Sequence, residues 1–217
     1  MFIVEKEPKS IAAESYRTLR TNIQYSSFDK EYRVIVVTSS EPGEGKSTTS
    51  GNLALSLAQD NKKVILIDCD LRKPSIHKKF KISNLSGLSD VMVGKEELSK
   101  VVHRYGQNLV ILTSGKIPPN PSEMLSSKMM NKLIESLKET FDYIILDTPP
   151  VQAVTDSQIL STKADGTILV VRADRTKKES VQNAVNLLKK VNANIIGTVL
   201  NGVDLNRNKY YYYYGEK

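Results

Sequence analysis

Two periodicities alternate along this chain. Short apolar runs, rich in β-branched residues, fall at 34–37, 63–67, 109–112, 143–146, 167–171 and 195–200, each the length of one buried strand. Between them the apolar positions recur at helical spacing. Residues 10–24 place Ile11, Ala12, Tyr16, Leu19 and Ile23 on one side, with Ser10 set to cap the first turn. A helix carrying Leu53, Leu55 and Leu57 follows the first run. A long helix is predicted from about 122 to 140 and a short one near 155–163. A Thr176-Lys177-Lys178-Glu179 capping box opens another, with Val181, Val185, Leu188 and Val191 facing inward. Strands alternating with helices predict an α/β fold with a doubly wound, mostly parallel sheet covered on both faces. Ligands of such a sheet bind beyond the carboxyl ends of its strands. No repeat or linker interrupts the pattern, so residues 1–205 read as one domain and 206–217 as a flexible tail.

The first strand runs into Ser40-x-x-x-x-Gly45-Lys46-Ser47, the phosphate-loop pattern with Ser in place of its first Gly. Its position between a strand and a helix gives the match its weight. Gly43 and Gly45 let the backbone turn its N–H groups, those of Glu44 and Thr48 included, toward phosphate oxygens. The helix N-terminus adds partial positive charge. Lys46 supplies a cation for the β- and γ-phosphates, and the Ser47 hydroxyl is a ligand for Mg²⁺. Three further strand ends carry polar groups: Asp68 and Asp70, Asp147, and Asn201. Asp147 reads as a holder of the magnesium shell opposite Ser47. Asp68 and Asp70 read as metal-orienting and proton-accepting carboxylates. Which of the two is the base stays open, because both point to one side of an extended chain. Asn201 reads equally as a reader of the adenine edge and as a turn residue before Gly202.

Composition narrows the picture only in places. The formal charge of +7 in 217 residues points either to acidic partners or to an ordinary lysine-rich surface. Five of its cations, Arg72, Lys73, Lys78, Lys79 and Lys81, lie in one stretch without an acid. The single cysteine, Cys69, excludes an internal disulfide or a cysteine metal cluster, and flanking acids raise its thiol pKa. The N-terminus shows no signal-peptide core, which fits a cytoplasmic protein. His77 and His103 lack ligand partners at useful spacing and read as surface residues. On the helix at 10–24, Glu14, Arg17 and Arg20 share an outward arc, either a solvated face or a contact for another subunit. Tyr210, Tyr211, Tyr212, Tyr213 and Tyr214 form one run that cannot pack as a core. A γ-phosphate donor and a cluster of phenols in one chain point to autophosphorylation, with a neighbouring subunit as donor site.

With these residues assembled, the chain resembles the bacterial tyrosine kinases (BY-kinases) of capsule and exopolysaccharide synthesis, in their split cytoplasmic form. The resemblance rests on Glu14-x-x-Arg17-x-x-Arg20, Pro42 to Thr48, Ile67-Asp68-Cys69-Asp70-Leu71-Arg72-Lys73-Pro74, Leu146-Asp147-Thr148-Pro149-Pro150 and the terminal tyrosines. It implies a P-loop NTPase fold of the deviant-Walker, MinD/ParA-like kind, with ATP and Mg²⁺ as cofactors. It implies that Asp68 helps activate the phenol and that Ser47 and Asp147 serve the metal. The Glu14/Arg17/Arg20 stripe would join copies into a homo-oligomeric ring, an octamer being one candidate size. Further implied partners are a membrane-anchored adaptor of the polysaccharide co-polymerase type that recruits the chain to the inner face of the plasma membrane, a tyrosine phosphatase and protein substrates. Nucleic acid is not among them. The competing reading is a MinD/ParA-like switch ATPase without kinase activity. Those proteins usually carry Lys where this chain has Glu41, which counts against it.

Overall fold

The computed structural model describes residues 2–26 and 31–204. In chain order the elements are α1 (Ile3–Lys6), α2 (Ile11–Tyr25), β1 (Val34–Ser39), α3 (Lys46–Gln59), β2 (Val64–Asp68), α4 (Ile76–Phe80), α5 (Leu88–Met92) and α6 (Leu98–Val101). There follow β3 (Val102–Tyr105), β4 (Leu109–Leu112), α7 (Pro121–Ser126), α8 (Lys128–Lys138), β5 (Tyr143–Asp147), α9 (Asp156–Ser161), β6 (Gly166–Arg172), α10 (Lys178–Lys190) and β7 (Ile195–Asn201). The strands form one seven-stranded sheet in the order β3-β4-β2-β5-β1-β6-β7. All neighbours are parallel except the β3–β4 pair at one edge.

Both faces of the sheet are buried over its inner strands, and the strand period shows which side chain goes where. Ile35, Val37, Val64, Leu66 and Ile145 join the core under α3. Val34, Val36, Ile65, Ile67, Ile144 and Leu146 join the opposite core, under α7, α8 and α9. Helix α3 is buried nearly all round, because α1 and α2 cover the side turned away from the sheet. Its Gly51 makes this possible: a Cβ there would lie 2.2 Å from the ring of Phe2.

The structure departs from the sequence pattern at several points. The segment predicted as one helix over 122–140 is two. At Ser127 the backbone is extended (ψ 159°), and its hydroxyl caps α8 by accepting from Met130 N at 3.2 Å. Strand β3 was not predicted, since Val102-His103-Arg104-Tyr105 has no apolar run; it pairs with β4 as a half-exposed edge. Helix α2 is capped by Ser10 as expected, with Ala13 and Ile23 buried, but Ile11 is 40% exposed rather than docked. His77 and His103, read as surface residues, are half-buried. The Thr176 capping box does not form: Lys177 is the N-cap residue and no side chain caps α10. Ala184 and Leu188 form the buried line of α10, with Val181 and Val185 packed at its margin.

Candidate active site

Strand β1 delivers the chain to a turn in which Gly43 (φ +83°) and Gly45 (φ +97°) adopt left-handed angles open to glycine. At Gly45 space is also limiting, because a Cβ would come 1.9 Å from Asn201 Nδ2. Asn201, at the end of β7, donates to the Glu44 carbonyl at 2.9 Å and so braces the loop from the far side of the sheet. Helix α3 then starts with no side-chain cap, which leaves its first N–H groups for an anion. The Glu44 side chain turns away from that opening. Its carboxylate accepts from Glu41 N at 2.9 Å and from the Thr176 hydroxyl. Glu44 therefore offers a phosphate its main chain, and the hydroxyl expected to cap α10 is spent on tying the loop to the turn before that helix.

Across the loop stand the strand-end acids. Lys46 Nζ pairs with Asp70 Oδ2 at 3.0 Å and lies 3.3 Å from the Ser47 hydroxyl. Asp70 also accepts from Lys73 N at 3.0 Å. Asp68 and Asp147 are register partners on β2 and β5, both fully buried. Asp68 accepts from Asp70 N at 3.2 Å and from Ser75 N and Ile76 N at 3.0 Å each. Burial, and then the Asp147 charge, push the Asp68 carboxyl up from 3.8 to about 7, against the pull of the Ile76 and Ser75 N–H groups and of Lys46. Asp147 is raised too, chiefly by burial, with Lys46, Ser47 and Ser50 opposing. Burial works to lower the Lys46 pKa, yet Asp147, Asp70 and Asp68 outweigh it and leave it raised. Burial also drives the Cys69 thiol well above its ordinary value, consistent with no catalytic use.

This donor set suits a phosphate chain with a hard divalent cation. Three carboxylates, Asp68, Asp70 and Asp147, face Lys46, and further cations line the cleft above them. Asp147 Oδ1 accepts from Ser50 at 2.9 Å, whereas Oδ2 is buried with no hydrogen-bond partner among the described residues. Among those residues no three His, Cys, Asp or Glu side chains converge as a closed cage. Magnesium binds through one or two carboxylates together with substrate phosphates, and the unpartnered Asp147 Oδ2 would serve such a cation. Ser47 and Asp147, with Asp68 behind, are the residues that would hold it.

A cleft of about 660 Å³ opens over these groups, with Lys46, Ser47, Thr48 and Asp70 on its floor and Pro149, Pro150, Ala153 and Val154 as an apolar wall. Several contributors were not legible in the sequence. Lys79 donates to the Thr48 hydroxyl at 2.9 Å, so one cation of the basic stretch serves the phosphate loop. Arg72 is clamped by buried Asp156, a residue with no motif around it. Arg172 lines the cleft beside Asn201. Away from the cleft, Glu14 pairs with Arg17 at 2.7 Å on the surface. Arg20 does not face outward: it turns back onto α3, donating to Ser56 O at 2.9 Å and lying 3.7 Å from Asp60. Tyr210 to Tyr214 lie outside the described residues.

Sheet order, phosphate loop and strand-end acids together define a P-loop ATPase. A family model described as an AAA domain matches residues 32–200. The tyrosine-protein kinase YwqD of Bacillus subtilis strain 168 is 45% identical over 216 residues, 99% of this chain and 91% of that protein. The kinase domain of the Escherichia coli tyrosine kinase ETK superposes with TM-score 0.91 at 35% identity, covering 100% of this chain and 85% of that one. The chimerical protein CapA2B2 gives TM-score 0.89 at 36% identity, covering 92% and 88%. The septum site-determining protein MinD of Pyrococcus horikoshii, crystallised with Mg-ADP, shares the fold at TM-score 0.65 and 24% identity over 77% of this chain and 69% of that one. This chain belongs to the bacterial tyrosine-protein kinase family.

Proposed function

We propose that this chain transfers the γ-phosphoryl group of ATP, with Mg²⁺, to tyrosine hydroxyls, its own Tyr210–Tyr214 run among them, and acts in capsular or exopolysaccharide synthesis. The observation that carries the reading is the 3.0 Å pair between Lys46 Nζ and Asp70 Oδ2 on the cleft floor, with Asp68 and Asp147 directly behind. A phosphate cation and candidate proton acceptors thus share one small space. Lys46 and the first N–H groups of α3 bind and orient the phosphates. Asn201 holds the loop from the β7 side, where the base would lie. The phenol oxygen of the acceptor bonds to the γ-phosphorus as the bond to the β–γ bridging oxygen breaks. The phenol proton passes to the Asp68–Asp70 pair, and ADP leaves. Asp70 is the member that lines the cleft; Asp68 lies behind it, fully buried, and accepts the Asp70 N–H at 3.2 Å. Magnesium, when bound, neutralises charge on the β- and γ-phosphates.

The same reading gives α2 a role in assembly, through Glu14, Arg17 and Arg20, and gives the tail a neighbouring subunit's cleft as its donor site. It also includes a membrane-anchored adaptor that recruits the chain to the inner face of the membrane, a tyrosine phosphatase and protein substrates. Among the described residues no helix is long and apolar enough to cross a membrane, so such recruitment needs a partner or a segment outside them. Against a switch ATPase stands Glu41, whose carboxylate accepts from the Ser180 hydroxyl and offers no cation to a second nucleotide. The test is incubation of the full chain, with and without the adaptor's cytoplasmic segment, in γ-labelled ATP and Mg²⁺. Label on tyrosine supports the reading. Label in free phosphate alone, under both conditions, returns the chain to the switch ATPases.

A further inference from the structure

We infer that Asp156 is a positioning residue for phosphoryl transfer: it fixes the Arg72 guanidinium at the acceptor end of the cleft. The inference rests on the kinase reading and adds to it a residue outside every recognised motif.

The geometry is a closed triangle. Arg72 Nε donates to Asp156 Oδ2 at 2.9 Å, and Arg72 Nη2 donates to Oδ1 at 3.1 Å, a two-pronged clamp. Ser122 Oγ donates to Asp156 Oδ1 at 2.6 Å and accepts from Arg72 Nη2 at 2.9 Å. Asp156 has no exposed surface, while the Arg72 side chain keeps 39% of its own. The three residues come from the loop after β2, the start of α7 and the start of α9. A buried carboxylate is costly unless paired, so holding this one under a half-exposed arginine implies a demand on where the arginine points. Nη1 is the guanidinium nitrogen that no hydrogen bond engages among the described residues.

Sheet order says which end of the cleft this is. Strand β1 feeds the phosphate loop. Asn201 lies two strands away in one direction, through β6 to β7; Asp70 and Arg72 follow β2, two strands away in the other, through β5. A nucleotide with its base beside Asn201 therefore directs its terminal phosphate toward Asp70 and Arg72. The charged groups around Arg72 there are Asp156 beneath it, Asp70 and Lys46 on the cleft floor and Lys73 beside it in the chain. During transfer the phenol oxygen gains its bond to phosphorus as the bridging oxygen departs with ADP. A fixed cation at this end stabilises the negative charge that the phosphoryl group carries between them. An arginine free to swing would lose most of that benefit, since reorienting it costs energy at the moment of reaction.

The experiment compares Asp156→Asn, Arg72→Gln, Arg72→Lys and the Asp156→Asn/Arg72→Gln double variant in the full chain. Nucleotide affinity, KM for ATP, kcat for tyrosine labelling and thermal unfolding are measured for each. Asp156→Asn is expected to lower kcat by roughly 10- to 100-fold while nucleotide affinity and KM stay within about twofold. Arg72→Gln should lose at least as much. The double variant should lose no more than Arg72→Gln alone, because Asp156 acts only through Arg72. Arg72→Lys should recover little, since an ammonium cannot donate the two parallel N–H bonds of the planar guanidinium fork. A folded Asp156→Asn variant with wild-type kcat overturns the inference, as do losses that multiply in the double variant. Should Asp156→Asn fail to fold, wild-type kcat in Arg72→Gln, at an exposed position, overturns it instead. A wild-type chain that releases phosphate but labels no tyrosine marks failure of the kinase reading itself.

Discussion

At the residue scale the site sets two fully buried carboxylates behind a cleft whose charged lining is mostly cationic. Asp68 and Asp147 sit side by side at full burial, and Lys46 alone cannot balance them together with Asp70. The cost appears in the pH dependence of stability. Asp68 titrates near 7 in the folded chain and near 3.8 when unfolded. Between those values the folded state holds a proton that the unfolded state has lost. The stability contributed by Asp68 is thus fully present below about pH 4 and is lost as pH rises through 7. In the nucleotide-free chain the melting temperature should decline from about pH 5 to pH 8 when followed by calorimetry. Asp147→Asn removes the charge that helps raise Asp68. That variant should melt higher than wild type at about pH 8, show a shallower decline, and lose tyrosine transfer. A variant that melts no higher at that pH contradicts the assigned electrostatics. Lys46→Met should reduce transfer by at least ~100-fold with the fold intact, checked by phosphotyrosine labelling beside a thermal melt.

At the element scale, α2 mixes two duties that the sequence could not separate. Glu14 and Arg17 form an exposed pair worth only a few tenths of a kcal/mol to the helix, whereas Arg20 is tied to α3 through Ser56 O. Light scattering of Glu14→Ala/Arg17→Ala should show loss of any assembly with an unchanged melting temperature. Arg20→Ala should lower the melting temperature as well. Unchanged mass in both removes the assembly role from this helix. The break at Ser127 makes a separate prediction: Ser127→Ala should cost about 1 kcal/mol, or ~2–4 °C in melting temperature. These elements also mark how far the sequence could be read. The inner parallel strands were legible because burial on both faces writes an unbroken apolar run, and the edge strand β7 was legible from Ile195, Ile196, Val199 and Leu200 although none of its residues is fully buried. Strand β3 was not, because an edge strand half open to water needs no such run and reads as Val-His-Arg-Tyr. The break before α8 was hidden because Ser127 looks like any other polar position on a helix until its hydroxyl is seen capping Met130. In the site, the phosphate loop and strand-end acids announced themselves by position. Asp156, Ser122 and Lys79 did not, since each bonds to a partner on an element distant in sequence, and no local spacing records that.

At the scale of the whole molecule, the sheet sets one axis for function. Asn201 marks one end of the cleft, the phosphate loop its middle, and Asp70 with Arg72 the other end. Helix α3, wrapped by α1 and α2, anchors the loop in a third layer, so a contact made on α2 bears on the helix that opens the phosphate site. The basic stretch after β2, which composition left as either a surface or a docking patch, is partly committed to this cleft through Arg72 and Lys79. The central claim is that this cleft delivers phosphate to a phenol rather than to water. Its most direct measurement uses ATP carrying three ¹⁸O atoms on the γ-phosphorus, incubated with the full chain, Mg²⁺ and the adaptor segment, followed by mass spectrometry of residues 206–217. The account predicts phosphotyrosine within 210–214 that retains all three heavy oxygens, and none in Lys46→Met. Heavy oxygen found solely in free phosphate, with every tail tyrosine unmodified, contradicts it.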